Sequence, residues 1–155
     1  MFVNVKLIKI EFPKSLNTFN STLFWGTIFT NTTFIIPNSV NYLKEGVFDR
    51  SNLVKIIGPN VTEILEVIAG YCNNLESIEY PKLIKVNTTN RPYDVLSYCL
   101  KLKKIDFPNL EIIPAMCNIN NERTITCFGY KCPELLSIDC PKLKECSIYT
   151  TSPNL

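Results

Sequence analysis

The segment Tyr71–Val86, YCNNLESIEYPKLIKV, returns twice in this chain, as Tyr98–Ile113 (YCLKLKKIDFPNLEII) and as Lys131–Cys146 (KCPELLSIDCPKLKEC). All three read Cys-x-x-Leu-x-x-Ile-x-φ-Pro-x-Leu, where φ is apolar, aromatic or Cys. Self-similarity of this kind means that one short unit is stacked on itself, because a unit this small cannot bury its apolar side chains alone. Weaker copies carry the pattern back to the N-terminus. Pro13, Pro37, Pro59, Pro81, Pro108 and Pro141 align as anchors, spaced 24, 22, 22, 27 and 33 residues apart. Six residues before them stand Leu7, Asn31, Leu53, Leu75, Leu102 and Leu135. Three before stand Ile10, Phe34, Ile56, Ile78, Ile105 and Ile138. Asn31 and, just before Pro59, Gly58 interrupt these columns, so the second and third copies are the weakest.

Leu-x-x-Ile-x-φ is too brief for an amphipathic helix and fits one short strand with its apolar residues inward. Proline then ends the strand, having no N–H to give a ladder. The expected fold is a solenoid spanning residues 1–155 as a single domain. It has about six coils, each with one short parallel strand, and is mostly β and loop with short helical turns on the other side. The wider spacings read as insertions between coils: Asn87–Asp94 and Pro114–Thr126 are expected to be loops away from the strands. Leu23–Trp25 reads as the apolar knot of a turn in the first coil. Trp25, Phe24 and Phe29 are read as core.

At 155 residues and 46% apolar content the chain can hold a continuous core, and a net charge of +2 gives no footprint for nucleic acid. Five glycines argue against phosphate-cradling loops. Lys6, Lys9 and Glu11 interrupt the N-terminus, which does not read as a signal peptide, and no apolar run is long enough to span a bilayer. A cytoplasmic protein without membrane insertion is the expectation, with the cell surface as the alternative.

Phe34–Phe48, FIIPNSVNYLKEGVF, followed by Leu53-x-x-Ile56, resembles the BspA-type leucine-rich repeat, written I-P-x-S-V-x-x-I-x-x-x-A-F-x-x-C-x-x-L-x-x-I. Phe12–Phe19 (FPKSLNTF) fits the first half of that motif, and Cys72, Cys99 and Cys132 open its second half. The last three copies depart from it, with P-K-L or P-N-L in place of P-x-S-L. The FNIP-type repeat shares the period and I-P-N-S-V, but its F-N-Q-P block is absent. The resemblance implies a non-enzymatic protein-binding role, in many members at the surface of microbes or protists, where adhesin or antigen is the alternative reading. Ser152–Leu155 matches Cys132–Leu135, so the chain reads as a fragment of a longer array. A complete protein that self-associates through uncapped ends is the alternative.

No residue is His, which removes Ser-His-Asp and Cys-His nucleophiles and His-based metal sites. Of seven cysteines, Cys72, Cys99, Cys132, Cys140 and Cys146 fall in repeat columns and read as small core residues. Their stacking would also suit disulfides outside the cytosol. No Cys-x-x-Cys suggests zinc, and neither a metal nor a cofactor is expected. The candidate binding face is a pair of charged columns: Lys9, Lys55 and Lys104, and two residues on Glu11, Glu79, Asp106 and Asp139. On a stacked sheet these are outward ladders, either a solvated face with charges neutralised across strands or a docking surface for a protein partner. A carboxylate hydrolase or metal site built on the same acids is the distant alternative. Sequons at Asn20, Asn31, Asn60 and Asn87 would matter only on a secreted chain.

Overall fold

The computed structural model describes residues 2, 5–87, 95–112, 116–117, 123–124 and 128–144. Parallel strands stack into two main sheets. The long sheet runs Thr33–Ile35, Lys55–Ile57, Ser77–Glu79, Lys104–Asp106, Ser137–Asp139, each strand beside the next. The short sheet runs Thr18–Phe19, Tyr42–Leu43, Glu63–Leu65, Lys85–Asn87, with Ile112 bridged to Lys85. Smaller parallel pairs join Lys6–Leu7 to Ile28–Phe29 and Leu96–Ser97 to Phe128–Tyr130. Five rungs in the long sheet enclose about four full turns, fewer than the six coils the anchors suggested. The first anchor's Ile10 and Phe12 lie outside any strand, and the second strand of the last copy, near Cys146, falls outside the described residues.

The first four long-sheet strands bury their middle residue, and the fifth buries Ile138 in part. Phe34, Ile56, Ile78, Ile105 and Ile138 are direct partners from rung to rung, and their neighbours point outward, as a period of two requires. A turn follows each strand, and in the three clearest copies another precedes it. Cys72–Leu75, Cys99–Leu102 and Cys132–Leu135 are closed by the Leu N–H donating to the Cys carbonyl at 3.0–3.1 Å. The turn after the strand explains the family departure. In the two P-x-S copies the bond runs from Leu16 to Pro13 and from Val40 to Pro37. In the later copies it runs from Val61 to Gly58, Leu83 to Tyr80, Leu110 to Phe107 and Leu143 to Cys140. Proline then sits at the second turn position, where its fixed φ is favoured. Dropping the Ser shifts proline by one place and leaves the buried column intact.

The remaining sides contain no helix among the described residues, contrary to the expected helical turns. In the first four copies the second apolar pair, Val61 and Ile64 for example, ends a turn and enters a short-sheet strand. The connecting stretches are too short for a helix and turn sharply through positive-φ corners. Leu23–Trp25 forms the expected turn, with Phe24 fully buried and Trp25 only partly so. Within the second insertion Met116–Cys117 pairs antiparallel with Arg123–Thr124. Of the first insertion only Asn87 is described, and it belongs to the short sheet. Both interruptions in the columns have physical causes. A Cβ on Gly58 would lie 2.7 Å from the Tyr80 ring, so the tyrosine of the next coil fills that place. Asn31 accepts the Thr33 N–H at 3.0 Å, capping the strand it precedes.

Candidate interaction face

The long sheet sets the charged residues in order. Lys55, Ser77, Lys104 and Ser137 are register partners in one outward column, and Ile57, Glu79, Asp106 and Asp139 in the next. Lys55 pairs with Glu79 across a rung at 2.6 Å, and Lys104 pairs with Asp106 on its own strand at 2.7 Å. The Asp106 hydrogen bond and charge hold the Lys104 ammonium above its ordinary pKa. Lys9 and Glu11 also pair, at 2.6 Å, but they stand outside the strands and off both columns. Lys9 borders a groove shared with Thr33 and Ile35, at the first rung. Ile35, 62% exposed, and Ile57 continue the acidic column as an apolar one, which the charged residues of the sequence do not signal.

A family model for the BspA type leucine-rich repeat region matches residues 1–126 in six copies. The chain belongs to the BspA-type leucine-rich repeat family. No curated protein and no solved structure gives a match. Membership supports a repeat-built interaction or adhesin-like module. The BspA-type stack also continues beyond the matched residues, since Ser137–Asp139 joins the long sheet in register.

The cysteines of this BspA-type core are structural in their surroundings. Cys72 donates to the Phe48 carbonyl at 3.0 Å and Cys99 to the Ala69 carbonyl at 3.1 Å, each reaching the preceding coil. Hydrogen bonds with Cys132 and then Cys72, together with burial, push the Cys99 thiol well above its ordinary pKa. Such a thiol is a poor nucleophile and a poor metal ligand. Among the described residues no group of three or more His, Cys, Asp or Glu is arranged to hold a metal, and no helix is long and apolar enough to cross a membrane.

Three further features were not read from the sequence. Beside the post-strand turns, Asn60 donates to the Asn38 carbonyl, Lys82 to the Asn60 amide oxygen, Asn109 to the Pro81 carbonyl and Lys142 to the Asn109 amide oxygen, all at 2.6–2.7 Å. This ladder occupies the amide of the Asn60 sequon, and the Asn87 amide bonds Glu63 at 3.0 Å. Asp49 is partly buried, and the resulting desolvation raises its pKa to about 6 although it accepts the Gly70 N–H at 2.7 Å. Lastly, the residue before each column cysteine builds a row of its own. Tyr71 and Tyr98 stack at 4.5 Å and 7°, Arg50 lies over Trp25 and Tyr71 at 5.5 and 4.9 Å, and Lys131 lies over Tyr98 at 5.0 Å. The sequence signal was the residue preceding Cys72, Cys99 and Cys132, which no apolar column includes.

Proposed function

We propose that this BspA-type chain is a non-enzymatic protein-interaction module that docks its partner across several rungs of the long sheet. One observation supports the reading. Lys55 and Lys104 stand in one outward column and Glu79, Asp106 and Asp139 in the next, in unbroken register on an open sheet face. Rungs about 4.8 Å apart hold these charges at fixed spacing, so little side-chain freedom is lost when a partner binds. Exposed Ile35 at the first rung, with Ile57 next, adds an apolar end to the acidic column, and Lys9, paired with Glu11, borders that end. General acid–base chemistry calls for a water-poor enclosure, whereas these carboxylates lie on the solvent side of a sheet beside lysines.

The test is a paired capture from the protein's own cells, with the wild-type chain and a Lys55→Glu, Lys104→Glu double variant as baits. Both lysines are surface groups, so the stack stays folded. A protein held by the wild type and lost by the variant supports the reading. Equal capture by both baits refutes this face as the docking surface. Antibody labelling of intact against permeabilised cells separates an internal scaffold from an adhesin that uses the same display.

A further inference from the structure

We infer that the corner row Trp25–Arg50–Tyr71–Tyr98–Lys131 is a second docking surface, built to receive an extended acidic segment of a partner protein. It lies apart from the long-sheet columns and does not depend on them.

The backbone gives the first argument. Arg50, Tyr71, Tyr98 and Lys131 have φ of 58°, 57°, 54° and 51°, in the left-handed region. Gly relieves that conformation, and the first corner uses Gly26 at 63°. Non-glycine residues there cost roughly 1–2 kcal/mol each. Four successive corners carry long or aromatic side chains where glycine would be the easier choice. Such outliers mark positions held for their side chains. Rung-to-rung hydrogen bonds fix the corners: Gly26 N–H to Asp49, Arg50 N–H to Gly70 and Tyr71 N–H to Ser97, at 2.8–2.9 Å.

The second argument is charge. Lys55, Lys103, Lys104 and Lys144 each reach a carboxylate within 3.3 Å. Arg50 does not, although its charge acts on neighbouring Asp49. Arg50 is exposed, stands between the Trp25 and Tyr71 rings, and forms no salt bridge with a carboxylate among the described residues. Its sequence neighbour Asp49 points inward to the Gly70 N–H. Arg50 meets both rings through their faces, which leaves the N–H edge of its guanidinium to other partners. That is the edge that binds a carboxylate in a bidentate pair. The ring faces are spent on each other and on the cations. The row therefore sets exposed Arg50 toward one end and exposed Lys131, over the Tyr98 ring, at the other. Five positions about 4.8 Å apart make a strip of roughly 20 Å, the length of about six residues of extended chain. Donors and positive charge along such a strip are complementary to an acidic segment.

The probe is a fluorescein-labelled peptide of about twelve residues with alternating Glu and Ser, followed by fluorescence anisotropy. Binding to the wild-type chain is expected and should weaken as salt rises. Arg50→Gln should weaken it about tenfold or more, and Arg50→Lys by less, because charge remains and the fork is lost. Tyr71→Leu keeps the charge but removes the ring that orients it, and should also weaken binding. That variant carries the test if Arg50→Gln fails to fold. The Lys55→Glu, Lys104→Glu variant should bind the peptide within about twofold of wild type, which separates this surface from the sheet face. No binding by the wild type, or unchanged binding by Arg50→Gln and Tyr71→Leu, overturns the inference. So does tighter binding of the same peptide with phosphoserine in place of Ser, which would assign the row to phosphate.

Discussion

Around Phe24 the interior is aromatic, whereas from Leu53 onward it is a set of single-residue columns. Phe2, Phe12, Phe19, Phe29, Phe34 and Phe48 pack on the Phe24 ring with centroids 5.2–6.2 Å away, at angles from 8° to 87°. The later coils instead place Leu53, Leu75, Leu102 and Leu135 at one inner position, and Cys72, Cys99 and Cys132 at another, all fully buried. The aromatic block spans the first two copies, of which one carries the Asn31 gap and the other lacks a closed first rung. Interlocking rings tolerate many mutual angles. They close the first coils without a strict register, and the polar gaps are met one by one. Asn52, for instance, accepts the Phe29 N–H at 2.7 Å and donates to the Phe29 carbonyl at 2.9 Å. A copy that scores poorly as a repeat is therefore not a loosely packed coil.

Phe24→Ala is the most direct way to break this contrast. It should cost about 3–5 kcal/mol. Coils of a solenoid touch mainly their neighbours, so the damage should be local. Amide exchange should speed up from Phe19 to Phe48 while Ile78 and Ile105 keep their protection. Uniform loss along the chain would show that the two blocks act as one.

Asp49 stands at the seam, bonded to Gly70 of the next coil. Its pKa of about 6 in the fold lies above the ordinary 3.8, so the folded state holds the proton between those values. This group's contribution is most favourable below about pH 4 and is lost as pH rises through 6. Asp49→Asn should then stabilise the chain at pH 7 by up to about 3 kcal/mol and flatten stability between pH 4 and 7. Thermal unfolding across that range checks it, and a variant no more stable than wild type at pH 7 would count against it.

Within the columned half, the buried Tyr80 hydroxyl has no hydrogen-bond partner among the described residues. Tyr80→Phe keeps the 5.5 Å stack on Phe107 and should gain about 1–2 kcal/mol in urea unfolding. A loss would mean that the hydroxyl is satisfied in solution. The smallest effect is expected for Cys99→Ser, less than about 1 kcal/mol. The thiol already donates to Ala69, and Ser51 serves beside Cys72 with the two side chains 3.6 Å apart. A cost above about 2 kcal/mol would show that the column depends on sulfur's bulk.

The apolar columns were legible because burial at every rung leaves one residue type per position. Ile78, Ile105 and Ile138, and the charged residues beside them, fell on the expected faces for that reason. Lys9 and Glu11 did not join their columns, because proline spacing says nothing about whether the first rung closes its ladder. The helical turns expected on the far side gave way to strands. An apolar pair three residues apart, such as Val61 and Ile64, suits one helical turn as well as a turn followed by a strand. Asp49 and the corner row left little trace, since the first depends on inward packing of one carboxylate and the second on φ. Tyr71, Tyr98 and Lys131 precede cysteine in every clear copy, yet their shared backbone conformation is invisible in letters.

Thr33, Lys55 and Ser77 are successive partners 22 residues apart, while Lys104 and Ser137 follow after 27 and 33 and still meet in phase. Position in this molecule is counted in space, not along the chain. The return path between the fourth and fifth rungs can lengthen without moving a single column. A foreign loop spliced there, or a longer one acquired by drift, would leave the five-rung sheet in register, so the scaffold can vary its outline while its ruler stays fixed.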